Sequence, residues 1–96
     1  MYARTSTWTG SHDELERWSA HVKERVGPMV AGLPGNAGAY FFVDRDGGSA
    51  LTLTLWESEA AALASDQAAE KSRASTLAAT GLELLTRGRF EVVSRV

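Results

Sequence analysis

Two β-rich runs, Ala37–Asp44 and Ser49–Trp56, flank the tetrapeptide Arg45-Asp46-Gly47-Gly48, and this arrangement restricts the fold more than any other feature of the chain. Asp-Gly turns supply the positive φ that a tight hairpin requires, so the two runs are expected to pair antiparallel. The first run carries Tyr40, Phe41, Phe42 and Val43 in succession, the mark of a strand covered on both faces. In the second, Leu51, Leu53 and Leu55 alternate with Thr52, Thr54 and Trp56, so one face is aliphatic and the other holds hydroxyls and an indole.

Each flank of the hairpin carries a helix and a further strand. Tyr2–Thr9 is rich in β-formers and closes at Gly10. Ser11 with Glu14 forms a capping-box pattern. The helix that follows gathers Leu15, Trp18, Val22, Val26, Met29 and Val30 on one face. Gly27-Pro28 is expected to kink or interrupt it, with a last turn through Leu33 before Pro34-Gly35. Beyond the hairpin, Ser58 caps a second helix running to about Thr80, with a possible break, and Gly81 ends it. Gly88–Val96 reads as the final strand. The order β-α-β-β-α-β is the split βαβ of ferredoxin-like α+β folds, a four-stranded antiparallel sheet with both helices on one face. At 96 residues the chain is expected to form one domain over residues 1–96. Either Tyr40 and Phe42 or Phe41 and Val43 must lie on the face away from the helices, and such an apolar patch predicts a partner, most simply a second copy.

Composition removes several classes of function. A net charge of −2 argues against a nucleic-acid binder that neutralises phosphates. With Cys 0, thiolate metal sites, disulfides and cysteine nucleophiles are excluded. No apolar run approaches the roughly 20 residues that span a bilayer. The start MYARTSTWTG lacks the apolar core of a secretory signal, so a cytoplasmic protein with no membrane partner is expected. The 2 histidines, His12 and His21, are nine residues apart on one helix and point in opposite directions, which argues against a two-histidine metal site.

The second helix is unusual. Glu59, Asp66, Glu70 and Arg73 collect on one side, and the opposite arc is small and uncharged: Ala61, Ala62, Ser65, Ala68, Ala69, Ser72, Thr76 and Ala79. If that arc faces the sheet, the helix either packs unusually close to it or leaves a cavity lined by small hydroxyls and by aromatics.

The segment GNAGAYFFVDRDGGSALTLTLWESEAAALAS, Gly35–Ser65, resembles the antibiotic biosynthesis monooxygenase domains of the dimeric α/β-barrel superfamily. The shared pattern is a glycine-led aromatic strand, an Asp-Gly hairpin, and a strand ending in Trp-x-Ser before an acid- and alanine-rich helix. The resemblance implies a homodimer whose sheets face each other as a barrel, and a pocket between sheet and helices in each protomer. Haem-degrading members use an asparagine on the first strand and a tryptophan and an iron-ligating histidine on the second helix. Here the only asparagine is Asn36, and serines Ser65 and Ser75 stand near those helical positions, so haem oxygenation is not expected. The resemblance therefore implies a cofactor-independent monooxygenase acting on an aromatic or polyketide-like molecule, with no cofactor. Trp56, Tyr40, Tyr2, Ser65 and Ser72 would line its pocket, and His12 or Arg4 would supply the polar contact, with Gln67 a further candidate. As a first-turn histidine, His12 is a candidate base, and Arg4 must pair with an acid or hold an anionic ligand. The alternative is a non-catalytic dimeric ligand-binding or structural domain whose pocket is filled by its own aromatics.

Overall fold

The computed structural model describes residues 1–96. The strands are β1 (Tyr2–Thr9), β2 (Asn36–Asp44), β3 (Ser49–Trp56) and β4 (Glu83–Glu91). They form one antiparallel sheet in the order β2-β3-β1-β4. With α1 (His12–His21) following β1 and a second helical segment following β3, the fold is the ferredoxin-like α+β arrangement expected from the sequence. The hairpin turn closes as its chemistry requires: the Asp44 carboxylate accepts from the Gly47 amide at 2.9 Å. No helix is long and apolar enough to cross a membrane.

Ser11 caps α1 through a complete capping box with Glu14, whose carboxylate is held below its usual range by the Ser11 amide. Gly27-Pro28 does not end this helix. The chain widens into a π-helical turn over Val22–Val26 and continues as α2 (Gly27–Ala31). The Gly27 amide reaches back five residues to the Val22 carbonyl, so Pro28, which has no N–H to offer, falls in the first turn of α2, where none is needed. Gly27 is close to required here, because a Cβ would stand 3.0 Å from the Val22 carbonyl oxygen.

The second helix is broken at Ser65 into α3 (Glu59–Ala64) and α4 (Asp66–Thr80). At the break the Ala62 carbonyl, which receives a long 3.3 Å bond from the Ser65 amide, also accepts from the Ser65 hydroxyl at 2.7 Å and from the Arg4 guanidinium at 2.5 Å. Gly81 ends α4 with φ +77°, and its amide bonds to the Leu77 carbonyl.

Leu15, Trp18, Val22, Val26 and Val30 bury themselves against Trp8, Ala50 and Leu82, with Phe41 edge-on to Trp18 at 6.4 Å between ring centroids. Phe41 and Val43 thus belong to the helix side. Tyr40 and Phe42, stacked at 6.1 Å, lie on the opposite face, where both are exposed. The last strand runs over Glu83–Glu91, not Gly88–Val96, and Val92–Val96 lies beyond it. Gly88 sits inside the strand and is covered by the Phe90 ring, 2.7 Å from where a Cβ would be. A glycine in a strand interior reads locally as a boundary, which is why the sequence misplaces this element.

Candidate functional site

On the helix side of the sheet, β1 and β3 present Arg4, Ser6, Trp8, Thr52, Thr54 and Trp56 in two adjacent rows. Above them stand the apolar wall of the π turn and α2, with Val22, Val26, Met29 and Val30, and the small-residue wall of α4, with Ser65, Ala69, Ser72 and Thr76. Between the walls lies a narrow cleft of about 50 Å³. That volume holds a few waters, since one water needs about 10–15 Å³ measured in this way. It is well below the roughly 300 Å³ at which small-molecule pockets begin. The question posed by the small arc of the second helix therefore has an intermediate answer. α4 leans chiefly on α1, and the space between it and the sheet is largely, but not completely, taken up by Trp8, Trp18 and Trp56.

The cleft has uneven hydrogen-bonding capacity. Trp56 is 2% exposed, and its indole N–H donates to the Thr54 hydroxyl at 3.0 Å, so this donor is satisfied. Trp8, equally buried, has an indole N–H with no partner. Arg4 uses one terminal nitrogen on the Ala62 carbonyl, the Ser65 hydroxyl and the Asp66 carboxylate, but its buried Nε–H is also unpartnered. Arg4 thus resolves the choice between acid and ligand towards the acid, with one donor to spare. The Arg4 contact holds the Asp66 carboxyl below the usual carboxylate range. Buried donors without acceptors are rare in native proteins, and both of these belong to side chains lining the cleft.

Of the residues singled out from sequence, the structure brings Arg4, Trp56, Ser65 and Ser72 together at the cleft. Tyr40 is on the other face of the sheet, its side chain stacked on Phe42. Tyr2 donates to the Glu59 carboxylate at the surface, and this contact raises its pKa. The His12 side chain is 69% exposed, with Asp13 at 3.9 Å. Gln67 is exposed on α4. No three His, Asp or Glu side chains converge where they could hold a metal ion. His21 is half-buried under α4: its ring bonds the Thr76 hydroxyl at 3.1 Å, and desolvation lowers its pKa.

Residues 1–76 match the profile of the family described as antibiotic biosynthesis monooxygenase. The chain belongs to this family. Its fold is shared with a monooxygenase from the gene ActVA-Orf6 of Streptomyces coelicolor, solved in complex with nanaomycin D. That match has a TM-score of 0.74 at 14% identity and covers 99% of this chain and 89% of the other. SnoaB, a cofactor-independent oxygenase from Streptomyces nogalater, superposes with a TM-score of 0.68 at 21% identity, covering 99% and 95% of the two chains. Over 65 residues the chain is 32% identical to Rv2557, an uncharacterised protein of Mycobacterium tuberculosis. That match takes in 68% of this chain but only 29% of the relative's length.

Trp8, an indole at a strand end that the sequence leaves open between pocket rim and interface, lines the cleft, and so does Arg73, which the sequence places only on the charged side of its helix. The alternation of Arg4, Ser6 and Trp8 along β1 was the one available signal.

Proposed function

We propose that the cleft receives an aromatic or polyketide-like small molecule, and that the protein acts on it as a cofactor-independent oxygenase. The observation that carries this reading is the pair of unpartnered donors, Trp8 Nε1 and Arg4 Nε, on side chains lining a cleft of apolar and hydroxyl-bearing residues. A phenolate or enolate oxygen is the acceptor that such donors favour most, and a dry site strengthens the contact. With an anthrone as the guest, a methylene C–H is lost as a proton, and the enolate is held through its oxygen. Its carbon then bonds to O2. The O–O bond breaks to leave a carbonyl, and one oxygen departs as water. The balance is anthrone plus O2 to anthraquinone plus water, four electrons passing from substrate to oxygen.

No carboxylate or imidazole lines the cleft, and Asp66, held ionised by Arg4, is a weak base. The reading therefore favours substrates acidic enough to ionise in water, with the protein stabilising the anion rather than forming it. Admitting rings into a space of about 50 Å³ requires α4 to move outward, and the break at Ser65 supplies a point about which it can turn. The apolar outer face, with Tyr40, Phe42, Leu85 and Phe90 exposed, suits a second copy of the chain, as in the dimeric barrels of the family. The small volume and the missing base favour one other reading, a dimeric ligand-binding protein without catalysis.

Aerobic oxygen uptake with a panel of hydroxyanthrones separates the two. We expect turnover above the uncatalysed rate, falling about 100-fold in Trp8→Phe, as for loss of one oxyanion donor. Uptake equal to the protein-free rate for every substrate would reject the oxygenase and leave the binding protein.

A further inference from the structure

Arg4 and Arg73 border both the cleft and a second, polar recess of about 370 Å³ between α4 and β4. Four guanidinium groups, those of Arg4, Arg73, Arg87 and Arg89, face two carboxylates there, Asp66 and Glu70. This local excess of positive charge stands on a chain of net charge −2.

The four arginines are not equivalent. Arg4 and Arg89 are direct neighbours across the β1–β4 ladder, where like charges repel. Asp66 lies between them, bonding Arg4 with one carboxylate oxygen and standing 3.7 Å from Arg89 with the other. A single acid thus occupies that pair. Arg87 is placed by register opposite Ser6, two residues along the same face of β4, and it shares the recess with Arg73 of α4. Neither Arg73 nor Arg87 has a carboxylate within 4.0 Å. Arg73 is half-buried, and its charge is disfavoured first by that burial and then by Arg87 and Arg4. Glu70 and Asp66 offset part of this from a distance, but neither touches the pair, and two planar cations without a carboxylate in direct contact form a receptor for an anion that both can grip.

We propose that Arg73 and Arg87 form a carboxylate-binding station at the mouth of the cleft, so that the natural ligand is an aromatic acid whose rings enter the cleft and whose carboxylate stays in the recess. This inference rests on the functional reading above, because the rings must occupy the same cleft. It adds a requirement that reading lacks, a permanent negative charge on the part of the ligand remote from the reacting ring. Arg73 borders both spaces, so a ligand of this kind touches it along its length.

Titration calorimetry with anthraquinone-2-carboxylate and its methyl ester tests the assignment. Wild-type protein should bind the acid at least about tenfold more tightly than the ester, the scale of one hydrogen bond to a charged group. Added salt should weaken the acid and leave the ester unaffected. Arg87→Gln, at an exposed position on an edge strand outside the cleft, should remove most of the preference with ester affinity unchanged, and Arg73→Gln should also remove most of the preference. Arg45→Gln, whose partner is Glu16, should preserve it. Equal affinity for acid and ester, or a preference that survives in the double variant, would overturn the carboxylate station while leaving an aromatic cleft. Failure of both compounds to bind would overturn the cleft reading and this inference together.

Discussion

The wall built from α1, the π turn and α2 meets the sheet with Leu15, Trp18, Val22, Val26 and Val30, all buried and all apolar. The wall built from α4 meets the same cleft with Ser65, Ala69, Ser72, Arg73 and Thr76, which are small, hydroxylated or charged. The first wall interlocks with Trp8 and Phe41 and forms most of the core. The second leans on the flank of α1 and is fastened near its start by Arg4 reaching across from the sheet. One wall thus carries the folding energy, and the other is free to be shaped by what it must contain. Protein interiors tolerate few voids, so a wall that leaves one is where a ligand site is expected.

The comparison can be broken most directly by truncating the apolar wall. Trp18→Ala should cost about 3–5 kcal/mol, the usual range for a buried aromatic, and leave little folded protein in thermal melts. A cost under about 1 kcal/mol would mean that the core lies elsewhere. The walls join where Glu14 of α1 lies against Gly81 at the end of α4. Gly81→Ala should cost about 1–2 kcal/mol by chemical denaturation, because φ is +77° and the new Cβ would meet a Glu14 oxygen at 2.8 Å. On the α4 side the expectation reverses. Ala69→Val should change stability by less than about 1 kcal/mol, yet filling the cleft should abolish binding of aromatic guests in the same calorimetric assay.

The smallest effect concerns the fastening of α4. Asp66 has a folded-state pKa below its unfolded value, so its contribution is fully present above the unfolded carboxylate pKa of about 4 and is lost as pH falls through the folded value. Urea midpoints of wild type and Asp66→Asn should therefore differ at pH 7 and converge towards pH 2. A gap that persists at pH 2 would show that the carboxylate charge is not what matters. Asp66 is half exposed, so solvent screening keeps the difference small.

Much of the fold was legible because local chemistry and tertiary structure agree in this chain. The Asp-Gly turn, the Ser11–Glu14 box and the leucine–threonine alternation of β3 each specify one outcome. The errors fell where tertiary contacts overrule local signals. Gly88 reads as a strand boundary, but Phe90 folds over it and the strand continues. Gly27-Pro28, by contrast, interrupts its helix as its chemistry predicts, and one π turn absorbs the missing donor. The site was less legible than the fold. Tyr2 and Tyr40 are attractive phenols in sequence, yet one binds Glu59 at the surface and the other falls on the outer face through strand parity. Arg73 and Arg87 belong to a helix and a strand that no local pattern connects, so only the folded chain shows that they share a recess.

The 3 tryptophans of the chain, Trp8, Trp18 and Trp56, all border the one cleft, and both tyrosines lie outside it. Ultraviolet emission excited at the red edge of the indole band therefore originates at a single location. Quinones and extended aromatic rings quench indoles on contact, so a guest arriving there should darken the whole signal rather than a third of it. The unlabelled protein is in effect its own optical sensor, able to report occupancy of the cleft in real time, whether or not any chemistry follows.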